Sequence, residues 1–265
     1  MDTPVSGWDL VKSWNTGDQR GCAYVENVGV YQRDGHCALA FSSTARLSDM
    51  PTNMNVKTRT WCGLQGMQAG YARRLDDFVH GHRFNEFKDM LGDPGQCRSV
   101  VGVGHSMGGA LISMMAACAN QKGYFNVDSL YTFGAPAVST EQLSNDRTED
   151  GCFAGYRIYI MDKNFMDPVP SVFSPLDFKH PKLREYRLVE QDGNVTVLEH
   201  GCLENHTKDS PTFFASFPSI DLHRALAYVK RLLKIGGPER EEQVERSWHN
   251  FSMVQKLAAM LAWGL

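Results

Sequence analysis

The stretch Arg98-Ser-Val-Val-Gly-Val-Gly-His-Ser-Met-Gly-Gly-Ala-Leu-Ile-Ser-Met-Met-Ala-Ala-Cys118 changes character within two residues. Ser99 to Val103 is a short β-branched run of the kind that fills a central parallel strand. Met107 to Cys118 is apolar almost all round, as a helix packed inside a larger domain should be. Between them, Gly104-His105-Ser106-Met107-Gly108 has the Gly-x-Ser-x-Gly frame of a nucleophile elbow. A strand reverses into a helix this sharply only if the serine takes a strained backbone conformation. Glycines two residues to either side then keep side chains away from the neighbouring strand and helix. The same turn lifts the serine hydroxyl above the sheet and points helix N-terminal N–H groups at a reacting carbonyl. The pentapeptide alone is weak in a chain with 24 glycines; its flanks give it weight.

Length and composition fit that start. A chain of 265 residues holds one large α/β domain, and nothing in it suggests two. With 42% hydrophobic and 22% charged residues it is ordinary for a globular protein. A net charge of −3 without a basic cluster argues against a nucleic-acid partner. No apolar run approaches the roughly 18 residues of a transmembrane segment. Met1 to Leu10 lacks an apolar signal core, so the expectation is a cytoplasmic protein or a chain whose leader was removed. The seven cysteines include no Cys-x-x-Cys pair, which speaks against a zinc site. Cys118, on the helix after the elbow, reads as a small packed thiol, leaving the other six free to form disulfides. Asn-x-Ser/Thr tripeptides begin at Asn194, Asn205 and Asn250 and matter only in a secretory pathway.

The rest of the chain reads as alternating strands and helices. Ala23 to Gln32 and Cys37 to Ser43 are adjacent strands joined through an Asp34-Gly35 turn. Gly63 to Leu91 is helical in character, interrupted around His80 to His82 and ended by Asp93-Pro94-Gly95. Val127 to Phe133 and Tyr156 to Met161 are strands, and Glu185 to Glu190 with Val195 to Glu199 form a hairpin about Asp192-Gly193. Ile220 to Lys234 and Glu239 to Trp263 are helices separated by Gly236-Gly237-Pro238. Val244, Trp248, Phe251 and Leu261 share a stripe of the last helix, so residues 239–265 are expected to pack on the single domain formed by residues 1–265.

Several segments together resemble the class 3, fungal-lipase-like branch of the α/β-hydrolases. Ala23-Tyr-Val25 and Cys37-Ala-Leu-Ala-Phe-Ser-Ser-Thr44 look like that family's two strands ending in Phe-Arg-Gly-Thr/Ser. Val79-His-Gly-His-Arg-Phe84 resembles its Val-His-x-Gly-Phe, and Gly104 to Ala110 its Gly-His-Ser-Leu-Gly-Gly-Ala. Tyr131-Thr-Phe-Gly-Ala-Pro136 and Asn164-Phe-Met-Asp-Pro-Val-Pro170 match two further family segments in the same order. Ser42-Ser43 replaces the family's Arg-Gly pair, a departure in the oxyanion loop. The resemblance, which runs from about residue 23 to residue 228, implies an α/β-hydrolase fold. Its central, mostly parallel sheet is flanked by helices, with the elbow at Ser106.

Serine needs a base within hydrogen-bond reach and an acid to orient that base. In this fold the partners follow in the order Ser, Asp, His. Asp167 lies after the Tyr156 to Met161 strand, in a loop stiffened by Pro168 and Pro170, at the family's acid position; Asp162 is the alternative. For the base, chain order, with His249 set aside in the last helix beyond a natural boundary, leaves His200, His206 and His223. His223 follows Ser219-Ile-Asp-Leu222 and opens a helix running to Tyr228, as the family's Asp-x-His does before a terminal helix and tyrosine. His206, in the polar run Glu204 to Lys208, is its competitor. His105 is expected to turn its ring away from the site. The resemblance puts the oxyanion-hole N–H groups on Met107 and Thr44.

No cofactor and no metal is required. His80 and His82 near Asp76 and Asp77 lack a strong ligand spacing. Ala45 to Thr60 sits where a class 3 lid would follow the oxyanion strand, and Phe213, Phe214 and Phe217 are positioned to line an acyl pocket or to pack under the sheet. The expected activity is that of a lipase-type serine carboxylester hydrolase working through an acyl-enzyme on an acyl ester or lipid, at a lipid–water interface. Such a family member is more often secreted. A phospholipase, peptidase or thioesterase on the same fold, and an inactive lipase-like interaction module, are the competing readings.

Overall fold

Alternating burial sets the architecture. The computed structural model describes residues 8–15, 27–42, 56–81, 83–162, 165–202, 217–218 and 224–236. In chain order these form strands β1 (Asp9–Asn15), β2 (Asn27–Arg33), β3 (His36–Phe41), β4 (Thr58–Trp61) and β5 (Leu64–Gln68), then helices α1 (Ala69–Val79) and α2 (Arg83–Gly92). Strand β6 (Ser99–His105), helix α3 (Met107–Lys122) and strands β7 (Ser129–Phe133), β8 (Phe153–Ile160) and β9 (Phe165–Met166) follow. Strands β10 (Leu183–Gln191), β11 (Asn194–His200) and β12 (Phe217–Pro218) precede helix α4 (Ala225–Gly236).

The main sheet has eight strands in the order β1-β2-β3-β6-β7-β8-β10-β11. Strands β3, β6, β7, β8 and β10 pair in parallel, and antiparallel pairings of β1 with β2, β2 with β3 and β10 with β11 finish the two edges. Because side chains alternate along each strand, the sheet has two cores. One holds α1, α2 and α3, with Leu39, Phe41, Leu75, Phe87, Leu111, Ile112 and Phe153 buried. The other is smaller: Val103, Phe133, Ile158, Ile160 and Leu188 meet Ala225, Tyr228 and Val229 of α4. Helix α3 is buried from Met107 to Asn120, as its all-round apolar sequence requires, and stops at Gly123 in the left-handed conformation.

Several local readings change. Residues 64–68, expected as the start of a helix, are strand β5, paired with β4 through the turn at Cys62 and Gly63, both at positive φ. Residues 58–60, expected at the end of a lid, belong to β4; residues 45–55 lie outside the described residues. Cys118 is not a free packed thiol: it is bridged to Cys62, alongside Cys37–Cys97 and Cys152–Cys202. The odd cysteine is therefore Cys22, outside the described residues. Strand β1 had no counterpart in the sequence reading. Trp14 fixes it by packing edge-on against Phe87, centroids 5.3 Å apart. The helix expected from Ile220 begins at Ala225, five residues later than its apolar pattern suggests, and residues 239–265 lie outside the described residues.

Candidate active site

Ser106 stands between β6 and α3 with φ 56° and ψ −129°, a conformation a side-chain-bearing residue rarely adopts. Its N–H donates to the Phe133 carbonyl at 2.9 Å, fixing it to the end of β7, and its own carbonyl accepts from the Ala110 N–H at 3.2 Å. The glycines do what the motif requires of them. A Cβ on Gly104 would lie 2.3 Å from the Gly108 oxygen, and one on Gly108 would lie 2.2 Å from the Phe41 oxygen. Strand β3 thus passes close against the first turn of α3. Met107, at the first position of that helix, is buried beside Ser106, which is itself only 7% exposed.

Asp167 is carried by the loop after β8. Its N–H donates to the Ile160 carbonyl at 3.0 Å, so the loop folds back onto the end of the strand. The residue is fully buried. One carboxylate oxygen accepts from the Val169 N–H at 2.9 Å and the other from the Tyr228 hydroxyl at 2.5 Å. Pro168 precedes and Pro170 lies within a single 3₁₀ turn over Val169–Ser171, which restricts the backbone next to Asp167. His180 Nε2 donates to the Pro170 carbonyl at 2.9 Å from the far side of the loop.

Tyr228 of α4 joins the two segments. Its ring lies edge-on to His105 of the elbow, centroids 5.8 Å apart, and to Phe133, centroids 6.3 Å apart, while its hydroxyl reaches Asp167. Burial, and then the Asp167 charge, raise the Tyr228 pKa well above the usual phenol value, so it remains a donor. The sequence reading gave this tyrosine no role. The available signal was Ala225, Tyr228 and Val229 on one helical face, since a buried tyrosine hydroxyl needs a partner.

Asp162, the alternative acid, is engaged elsewhere. It accepts from the Glu190 N–H at 3.0 Å and from Arg231 at 2.7 Å. Arg231 also meets Glu190 at 3.1 Å, and Lys234 meets Glu190 at 2.5 Å. These pairs fasten α4 across the ends of β8 and β10, which holds Tyr228 at Asp167. His200 ends β11 opposite Glu185, toward the beginning of β10 and away from the strand ends that carry Ser106 and Asp167. Thr44, Ser43, His206 and His223, together with Phe213 and Phe214, lie outside the described residues. So does His82, and among the described residues no three His, Cys, Asp or Glu side chains gather as metal ligands. No described helix is long and apolar enough to cross a membrane.

Residues 40–176 match the family model of lipase (class 3), and the chain belongs to that family. Triacylglyceride lipase from Rhizomucor miehei is one structural relative, with a TM-score of 0.63 at 20% identity over 82% of this chain and 79% of that one. A lipase from Rhizopus microsporus var. chinensis has a TM-score of 0.59 at 20% identity, covering 83% of this chain and 74% of that one. Mono- and diacylglycerol lipase from Aspergillus oryzae has a TM-score of 0.60 at 21% identity, covering 82% of this chain and 78% of that one. No curated protein sequence matches the chain. At these identities the relatives establish the fold, the α/β-hydrolase arrangement expected from the elbow.

Proposed function

We propose that this protein is a serine carboxylester hydrolase acting on acylglycerols or related lipid esters, with Ser106 as nucleophile, His223 as base and Asp167 as the acid that orients it. The strained backbone of Ser106 carries the reading. It is kept in an expensive conformation by glycines that leave no room for a side chain at their positions, the arrangement that places a serine at the head of a helix. The structural relatives are named as lipases of triacylglycerides and of mono- and diacylglycerols, which supports acylglycerols as the substrate class.

What supports His223 is the described chain on either side of it. Phe217–Pro218 of β12 pairs in parallel with Phe165–Met166 of β9, so Pro218 sits opposite the residue before Asp167. Tyr228 touches Asp167 itself. His223 is five residues from each of these anchors, whereas His206 is eleven residues before Phe217. Ser106 loses its proton to His223 as its oxygen attacks the ester carbonyl. The tetrahedral oxyanion is met by the Met107 and Thr44 N–H groups, and the imidazolium then protonates the leaving alkoxide. Water, activated by the same histidine, releases the acid. Asp167 orients the histidine and stabilises the imidazolium.

The two histidines are separated by mutation. His223→Ala is expected to lower kcat on a soluble p-nitrophenyl ester by about 10⁴-fold. His206→Ala should leave kcat unchanged. The reverse pattern would move the base to His206.

A further inference from the structure

Three disulfides close loops that span 60, 56 and 50 residues, joining Cys37 to Cys97, Cys62 to Cys118 and Cys152 to Cys202. Such structural bridges persist in oxidising compartments. That environment gives meaning to the Asn-x-Ser/Thr tripeptides, of which Asn205 and Asn250 lie outside the described residues. Asn194-Val195-Thr196 is described, and its place in the fold is suited to modification. Asn194 is the first residue of β11 and follows the two-residue turn Asp192-Gly193, whose φ values are 52° and 80°. Both Asn194 and Thr196 are exposed.

We propose that Asn194 is an N-glycosylation site, used when the chain is made in a eukaryotic secretory compartment. The donor is an oligosaccharide carried on a lipid pyrophosphate. The Asn194 side-chain nitrogen forms a bond to the sugar C1, the bond from C1 to the pyrophosphate oxygen breaks, and the amide gives up one proton. The Thr196 hydroxyl, two residues on, is the recognition element of the acceptor. A glycan here also has a physical use. Strand β11 is the last strand of the sheet, with no described strand on its outer side, and it exposes Val197 by 37% and Leu198 by 47%. An exposed edge of this kind is a template for pairing with another chain, and a bulky hydrophilic group at its start obstructs that approach.

The test uses the full chain, secreted from yeast or insect cells and shown by a non-reducing peptide map to hold its three disulfides. Treatment with peptide-N-glycosidase in heavy-oxygen water should convert Asn194 to labelled aspartate in the wild-type peptide. Asn194→Gln and Thr196→Val should each lose one glycan step in the intact mass, while Thr196→Ser, which keeps the hydroxyl, should retain it. An unlabelled Asn194 peptide from oxidised, secreted wild-type protein overturns the proposal, and so does a Thr196→Val protein that keeps the full glycan count. If a variant is not secreted, the wild-type peptide decides alone.

Discussion

A single buried hydroxyl decides how firmly Asp167, proposed to orient the base, is held. The Asp167 carboxylate, shut off from solvent, accepts a hydrogen bond at 2.5 Å from Tyr228, a phenol that burial keeps protonated. Removing that donor while keeping the ring takes one hydrogen bond from a buried carboxylate, at a cost of about 1–3 kcal/mol. Tyr228→Phe should therefore melt at a lower temperature, and the acid's hold on the base should loosen. We expect kcat on a soluble ester to fall by about tenfold, equivalent to about 1.4 kcal/mol, with KM nearly unchanged. A wild-type kcat in a destabilised Tyr228→Phe protein would mean that the tyrosine serves packing alone. At this scale the candidate site was partly legible. Ser106 and Asp167 are marked by local turns, a strand-to-helix reversal and a proline-stiffened loop. Tyr228 was not, because its partner is 61 residues away and only the folded sheet brings the two together.

Among the elements, two devices fix the geometry around the elbow. The Cys62–Cys118 bridge ties the β4–β5 turn to α3, the helix that begins just after Ser106. By loop entropy, a bridge spanning 56 residues contributes about 4 kcal/mol. The Cys62→Ala, Cys118→Ala double variant should lose a comparable amount in denaturant unfolding, and an unchanged midpoint would contradict the pairing. The second device is the clamp of Arg231 and Lys234 on Glu190 and Asp162. The Lys234 ammonium, aided by Arg231, holds the Glu190 pKa below the ordinary glutamate value. A depressed carboxylate pKa stabilises the fold above the unfolded-state value and ceases to do so as pH falls through the folded one. The stability difference between wild type and Glu190→Gln should therefore be constant above about pH 4.3 and shrink in more acid solution. A difference that grows with acid would break the assignment. The hairpin turns at Asp34-Gly35 and Asp192-Gly193 were readable because positive φ leaves a local sequence mark. Strand β5 was not, since its Leu64 and Met67 fit either period. What makes it a strand is its partner β4 and a disulfide to a distant helix.

For the molecule as a whole, the sheet is the positioning device. Parallel strands β6, β7 and β8 end side by side, so Ser106 after β6 and Asp167 after β8 come to the same edge from opposite sides of β7. Helix α4 then lies over that edge and touches both segments through one tyrosine. A sheet-and-helix domain was legible from a buried strand, a buried helix and the turn between them, and its α/β-hydrolase form followed from the family resemblance of several segments in order. Strand β1 escaped notice because its seven residues are largely polar and its place depends on Trp14 reaching Phe87. The central claim, that Ser106 is an activated nucleophile, is tested most directly with a fluorophosphonate probe read out by intact mass. The folded, oxidised protein should gain one adduct, mapped to Ser106, and Ser106→Ala should gain none. Folded protein that takes no adduct, or takes it at another residue, would contradict the account.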